Sequence, residues 1–191
     1  MPTGNEHQGT PIEPSQASPS PDAPSADHLM VVGIGASAGG IRALQTFFEA
    51  LPARPGMVFV VIMHLSPEHE SSLAQVLQTH TAMPVAQVRG RVRMEPDHVY
   101  VIAPGQNLEI TDGHLMVSDV EAPRGRRAPI DVFFRTLAER HPDGIGIVLS
   151  GGGTDGTLGI KAIKEHGGLI MVQSPEEAEH EAMPRSAMAT G

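Results

Sequence analysis

Residues 29–51 read LMVVGIGASAGGIRALQTFFEAL, and this stretch decides the fold class. LMVVGIG (29–35) is a short apolar run ending in glycines, the pattern of a strand buried on both faces. GGIRALQTFFEAL (39–51) then sets Ile41, Leu44, Phe47, Phe48 and Leu51 at helical spacing, and Pro52 stops it. A buried strand that turns sharply into an amphipathic helix is the repeating unit of a parallel α/β sheet.

The same rhythm continues outward. MVFVVIM (57–63) predicts a second buried strand and SSLAQVLQTH (71–80) a helix. PIDVFFRTLAERH (129–141) predicts a helix with Pro near its start, GIGIVLS (144–150) a third buried strand, and TLGIKAIKEHG (157–167) a helix ended by glycine. LIMVQ (169–173) reads as a fourth such strand, and MPRSAMATG (183–191) opens another helix. Between about 84 and 120 the rhythm breaks. VAQV (85–88) and HVYVIA (98–103) look like strands, and NLEI and HLMV flank Asp112-Gly113 as a hairpin. The expected fold is therefore a doubly wound, mostly parallel α/β sheet with helices on both faces and a small antiparallel insertion. Met1 to about His28 is rich in Pro, Ser and Ala and poor in large apolar residues, so it reads as a disordered tail. Residues 29–191 read as one domain, cut short at its C-terminus.

Composition removes several function classes. With 191 residues, 3% aromatics and a formal net charge of −9, the chain lacks both the stacking surface and the excess cations of a nucleic-acid binder. It has no Cys, hence no disulfide, thiolate metal site or Cys nucleophile. No apolar run approaches the roughly 20 residues of a membrane span, and there is no signal-peptide pattern, so a cytoplasmic location is the default expectation. No pair of the ten His residues has convincing zinc-ligand spacing.

In an open α/β sheet, ligands bind beyond the carboxyl ends of the strands, which directs attention to the residues after each apolar run. Gly33-Ile34-Gly35-Ala36-Ser37-Ala38-Gly39-Gly40 follows the first. A glycine-rich turn into a helix holds either a dinucleotide pyrophosphate or a nucleophilic Ser at a tight corner, and a Ser there commonly does no more than cap the helix. The spacing is GxGxxxG, and the second strand ends in Met63-His64 rather than in an acid for a ribose. His64 emerges at the same edge as Ser37 and is the residue type that takes a proton from a hydroxyl, although a His after a strand often only bonds a carbonyl. SGGGTDGTLG (150–159) follows the third strand and brings Asp155 to that edge. Asp155 reads either as a cap of the following helix or as the carboxylate that orients His64. Three strand ends thus supply Ser, His and Asp.

These residues resemble the chemotaxis receptor methylesterases of CheB type. The resemblance runs from about Leu29 to Gly191 and rests on GIGASAGG, VIMHLSP, YVIAPGQNLEI, PIDVFF, SGGGTDGTLGIKAIKEHGG and VQSPEEAEHEAMPRSAMATG. It implies a serine-type carboxyl-ester hydrolase that demethylates glutamate methyl esters on methyl-accepting chemotaxis receptors, with glutamine deamidation as a second activity. It implies Ser37 as nucleophile, His64 as base and then acid, Asp155 as orienting carboxylate, and the N–H groups of Ala38 and Gly152 as oxyanion donors. No metal or organic cofactor is required.

Two departures accompany it. The usual member carries a receiver domain where this chain has its Pro/Ser-rich tail, and many members have Met at the position of Gly152. The tract around Asp155 is also similar to forms fused to receptor methyltransferase and sensor-kinase modules, which are expected as fused or separate partners. The rival reading is a non-catalytic signalling module that works by binding.

Overall fold

The computed structural model describes residues 29–64, 72–119 and 127–191, so the expected tail lies outside the described residues. In chain order the first half holds β1 (Val31–Ala36), α1 (Gly40–Glu49), β2 (Val58–Met63), α2 (Leu73–Gln78), β3 (Val85–Gln87), β4 (Arg91–Arg93) and β5 (His98–Val101). The second half holds β6 (Gln106–Thr111), β7 (His114–Asp119), α3 (Pro129–Arg140), β8 (Ile145–Val148), α4 (Thr157–Glu165), β9 (Leu169–Val172) and α5 (Ala182–Met188).

Six strands form one sheet in the order β3-β5-β2-β1-β8-β9, and all its pairings are parallel. The chain leaves β1 toward β2 on one side and later returns to lay β8 on the other. That reversal opens a crevice at the carboxyl end of β1, the place where doubly wound sheets bind ligands. Alternation along β1 and β2 divides the core between the two faces. Val32, Ile34, Phe59 and Val61 pack on Leu44, Phe48, Leu73 and Leu77 of α1 and α2. Val31, Val58, Val60 and Ile62 belong with Phe133, Phe134, Ile160 and Ile163 of α3 and α4.

Beside the main sheet lies a three-stranded antiparallel sheet, β4-β7-β6. Its hairpin turns at Asp112 (φ 49°) and Gly113 (φ 71°), both left-handed as a two-residue primed turn requires. α3 is enclosed between the two sheets. On one flank β1 presents glycines: a Cβ at Gly35 would stand 2.5 Å from Ile130 Cγ2, and one at Gly33 would stand 2.8 Å from Phe133. On the other flank Ile110 N donates to Thr136 Oγ1 at 3.2 Å.

The structure differs from the sequence expectation in three places. β3 and β5 belong to the parallel sheet, so the antiparallel insertion is confined to β4, β6 and β7. β4 was not expected: Arg-Val-Arg has no apolar run, and only its pairing with β7 makes it a strand. β9, expected to be fully buried, is an edge strand whose Leu169 and Met171 are 56% and 50% exposed.

Candidate active site

The turn after β1 is built by backbone. Ser37 N donates to Ser150 O at 3.0 Å, tying the ends of β1 and β8 together, and Gly40 N donates to Ser37 O at 3.0 Å. The N-cap of α1 is Gly39, in the left-handed region at φ 74°, and no side chain caps the helix. Ser37 therefore does not cap α1, and its hydroxyl makes no hydrogen bond among the described residues. A Cβ at Gly39 would stand 2.6 Å from Glu179 Cβ and 2.8 Å from Ser150 Oγ, so glycine is needed there for space as well as for φ.

His64 follows β2 directly. Its N–H donates to Ala36 O at 3.3 Å, extending the β1–β2 ladder by one rung and setting His64 across from the Ser37 turn. Ser37, Ala38, Met63, His64 and Glu179 line one open groove. The imidazole and the Ser37 hydroxyl are not hydrogen-bonded to each other among the described residues.

Ser150, at the end of the β8 run, holds this arrangement together. It is 1% exposed. Its Oγ donates to Ala38 O at 2.9 Å and accepts His180 N at 2.9 Å, and its N–H donates to Gln173 Oε1 at 2.8 Å. Sequence reasoning missed this residue; the available signal was a hydroxyl closing an otherwise apolar strand. Ser150→Ala leaves the Ala38 carbonyl and the His180 N–H without their partner in a part-buried setting, so it is expected to cost about 1 kcal/mol in thermal or urea unfolding. Turnover should fall with it, because Ala38 loses its fixed position.

The glycines after Ser150 divide the work. A Cβ at Gly151 would overlap the Met183 sulfur and stand 3.0 Å from Ser37 Cβ, so this glycine is what lets the turn seat against Ser37. A Cβ at Gly152 would meet nothing within 4 Å. Gly152→Met should therefore be accepted without strain. Measured by thermal unfolding, it is expected to stabilise the fold by about 0.5 kcal/mol through the unfolded chain. The N–H groups of Ala38 and Gly152 have no acceptor among the described residues, whereas those of Ser37 and Gly151 are committed to Ser150 O and His180 O.

Asp155 does not cap the helix that follows it. The N-cap of α4 is Gly156, without a side-chain cap bond. The Asp155 carboxylate instead accepts Ile130 N at 3.2 Å and Asp131 N at 3.0 Å, so it caps α3 from another loop. Burial pushes its pKa up to about 6; the backbone N–H groups pull the other way, and nearby Asp131 adds to the rise. Asp131 itself, 6% exposed, accepts Gly159 N at 2.7 Å and couples α3 to α4. Asp155 is outside the groove that Ser37 and His64 line, and it makes no hydrogen bond to His64 among the described residues.

The family model for the CheB methylesterase matches residues 32–191. The chain belongs to the CheB methylesterase family. Membership removes the dinucleotide reading of the glycine turn, and the methylesterase fold is the one expected. A putative protein-glutamate methylesterase/protein-glutamine glutaminase of Leptospira interrogans is 36% identical over 157 residues, 81% of each chain. A protein-glutamate methylesterase/protein-glutamine glutaminase of Cupriavidus metallidurans is 32% identical over 177 residues, 92% of this chain and 51% of that one. The crystal structure of the Thermotoga maritima CheB methylesterase catalytic domain superposes with a TM-score of 0.75 at 29% identity, covering 84% of this chain and 88% of that one. The chain thus spans about half the length of the Cupriavidus relative and most of the two shorter ones. No helix among the described residues is long and apolar enough to cross a membrane.

Proposed function

We propose that this methylesterase domain hydrolyses glutamate γ-methyl esters on chemotaxis receptors by acyl transfer through Ser37, with His64 and Asp155 completing a triad. The carrying observation is the groove itself. A hydroxyl with no hydrogen bond among the described residues lines one groove with an imidazole at the switch point of the sheet, and the N–H of Ala38 in the same groove has no acceptor among those residues.

In the first half-reaction Ser37 Oγ attacks the ester carbonyl while His64 takes the hydroxyl proton. The tetrahedral oxyanion is held by the N–H groups of Ala38 and Gly152. Its collapse breaks the bond to methoxide, which leaves as methanol with the proton from His64. In the second half-reaction His64 deprotonates water, the hydroxide attacks the acyl-serine, and Ser37 leaves with that proton, releasing glutamate. Glutamine follows the same path with ammonia as the leaving group.

Asp155 supports the His64 imidazolium in this scheme. Each of its oxygens accepts one N–H from α3, and a carboxylate has about four acceptor sites, so at least one remains for a ring N–H. That bond has to form when the His64 ring turns toward Asp155, as catalytic hydrogen bonds often do only with substrate present. The reading is tested by treating the protein with a fluorophosphonate, which traps an activated serine, and locating the adduct by mass spectrometry. Attachment at Ser37 that methylated receptor competes away supports it. Labelling elsewhere, or none in a preparation that releases methanol, would overturn it.

A further inference from the structure

On the side of His64 away from Ser37 lies a second, narrower hollow. Met63 and His64 line both spaces, and Ala103, Gly105, Gln106, Arg127 and Pro129 complete the second. Arg127 Nε is sealed from solvent with no hydrogen-bond partner, and among the described residues the rest of the guanidinium has none either. The Gln106 side-chain amide also makes no hydrogen bond among the described residues. A desolvated guanidinium N–H left unbonded is costly, and in a chain of net charge −9 a cation without an anionic partner among the described residues, lining one hollow with His64, stands out.

We propose that Arg127, with Gln106, forms a carboxylate subsite at the mouth of this hollow, whose interior of about 10 Å³ holds no more than a water, and that it meets the end of an acidic side chain flanking the methyl-esterified glutamate of the substrate. The argument rests on the reading of Ser37 and His64 given above. The reacting ester is neutral and belongs on the Ser37 side of His64, so the charge on the far side serves another group of the same substrate segment. A planar guanidinium with parallel N–H donors matches a carboxylate and, being permanently charged, matches it at every working pH. Arg127 lies two residues before Pro129, the first residue of α3, so a rigid element sets where it stands. Arg127 is thus a specificity residue: it selects which esterified glutamates are presented, and Ser37 performs the chemistry.

The test measures binding of two fluorescent peptides to the intact protein by anisotropy. Both carry one glutamate γ-methyl ester, flanked by Glu in one and by Gln in the other. Wild type is expected to bind the Glu peptide about tenfold more tightly, and R127Q to bind both alike. R127K should keep a weaker preference, because a point charge replaces the fork. Added salt should erode the preference of wild type and leave R127Q unaffected. An equal preference in R127Q, no preference in wild type, or no binding of either peptide would overturn the subsite. Methanol release is scored separately. R127Q should raise KM for the Glu peptide and leave kcat within about twofold, since uniform binding is what it removes. Retained preference without methanol release would sink the esterase reading and leave the subsite standing.

Discussion

Ser37→Ala is expected to lower methanol release from methylated receptor by about 10⁴-fold or more, because the acyl acceptor is gone and only binding and oxyanion stabilisation remain. Stability should hardly change. The Ser37 hydroxyl bonds no described residue, and the turn is held by the backbone pairs Ser37 N to Ser150 O and Gly40 N to Ser37 O. Unfolding curves of the two proteins should therefore agree within about 0.5 kcal/mol. That combination separates a missing nucleophile from a damaged fold. Equal methanol release by both proteins would remove Ser37 from the mechanism, and a large loss of stability would show the hydroxyl to be structural.

The second large effect concerns Asp155. Asp155→Asn is expected to cut turnover about 10²–10⁴-fold, because a neutral amide cannot stabilise an imidazolium and one of its two atoms is a donor. The stability signature is a pH dependence with a definite sign. The carboxyl pKa is raised from 3.8 to about 6, mainly by burial, so in that window the folded chain holds the proton more tightly than the unfolded one. Protons bound on folding mean that stability falls as pH rises through about 6. The wild-type protein thus carries a penalty above that pH which the Asn variant lacks. From pH 4 to pH 8 the stability of wild type relative to Asn should drop by at most about 3 kcal/mol, and by less to the extent that water screens the side chain. Against this, Asn offers one acceptor where two N–H groups of α3 need one each, which shifts the two curves vertically without changing their relative slope. Parallel curves would refute a buried, proton-retaining Asp155. Turnover of wild type should also fall as pH drops through about 6, when Asp155 takes up its proton.

The sequence announces the fold through its strands. VVGIGA and VFVVIM are apolar on both faces, and that property belongs to parallel strands between two helix layers. β4 was invisible because a three-residue strand has no periodicity, and the edge position of β9 depends on the order of strands rather than on its own residues. That Ser37 and His64 line one groove was legible because each is the first polar residue after a buried strand. The partners of Asp155 were not. Local pattern makes an Asp before a helix a cap of that helix, whereas its real partners, Ile130 and Asp131, lie about 25 residues earlier in the chain and meet it through the packing of α3 on α4 and β1. Ser150 was hidden for the same reason, since Ala38 and His180 reach it from far along the chain.

The glycine seam between β1 and α3 bears on how a random-mutagenesis screen of this domain would look. A methyl added at Gly35 meets Ile130, the residue whose N–H Asp155 accepts, and one at Gly33 meets Phe133 one turn further on. Such replacements push α3 off the strand and carry the anchors of the carboxylate with it. They would score as inactive while touching neither the ester nor the groove, on a map that marks the buried seam as densely as the chemistry.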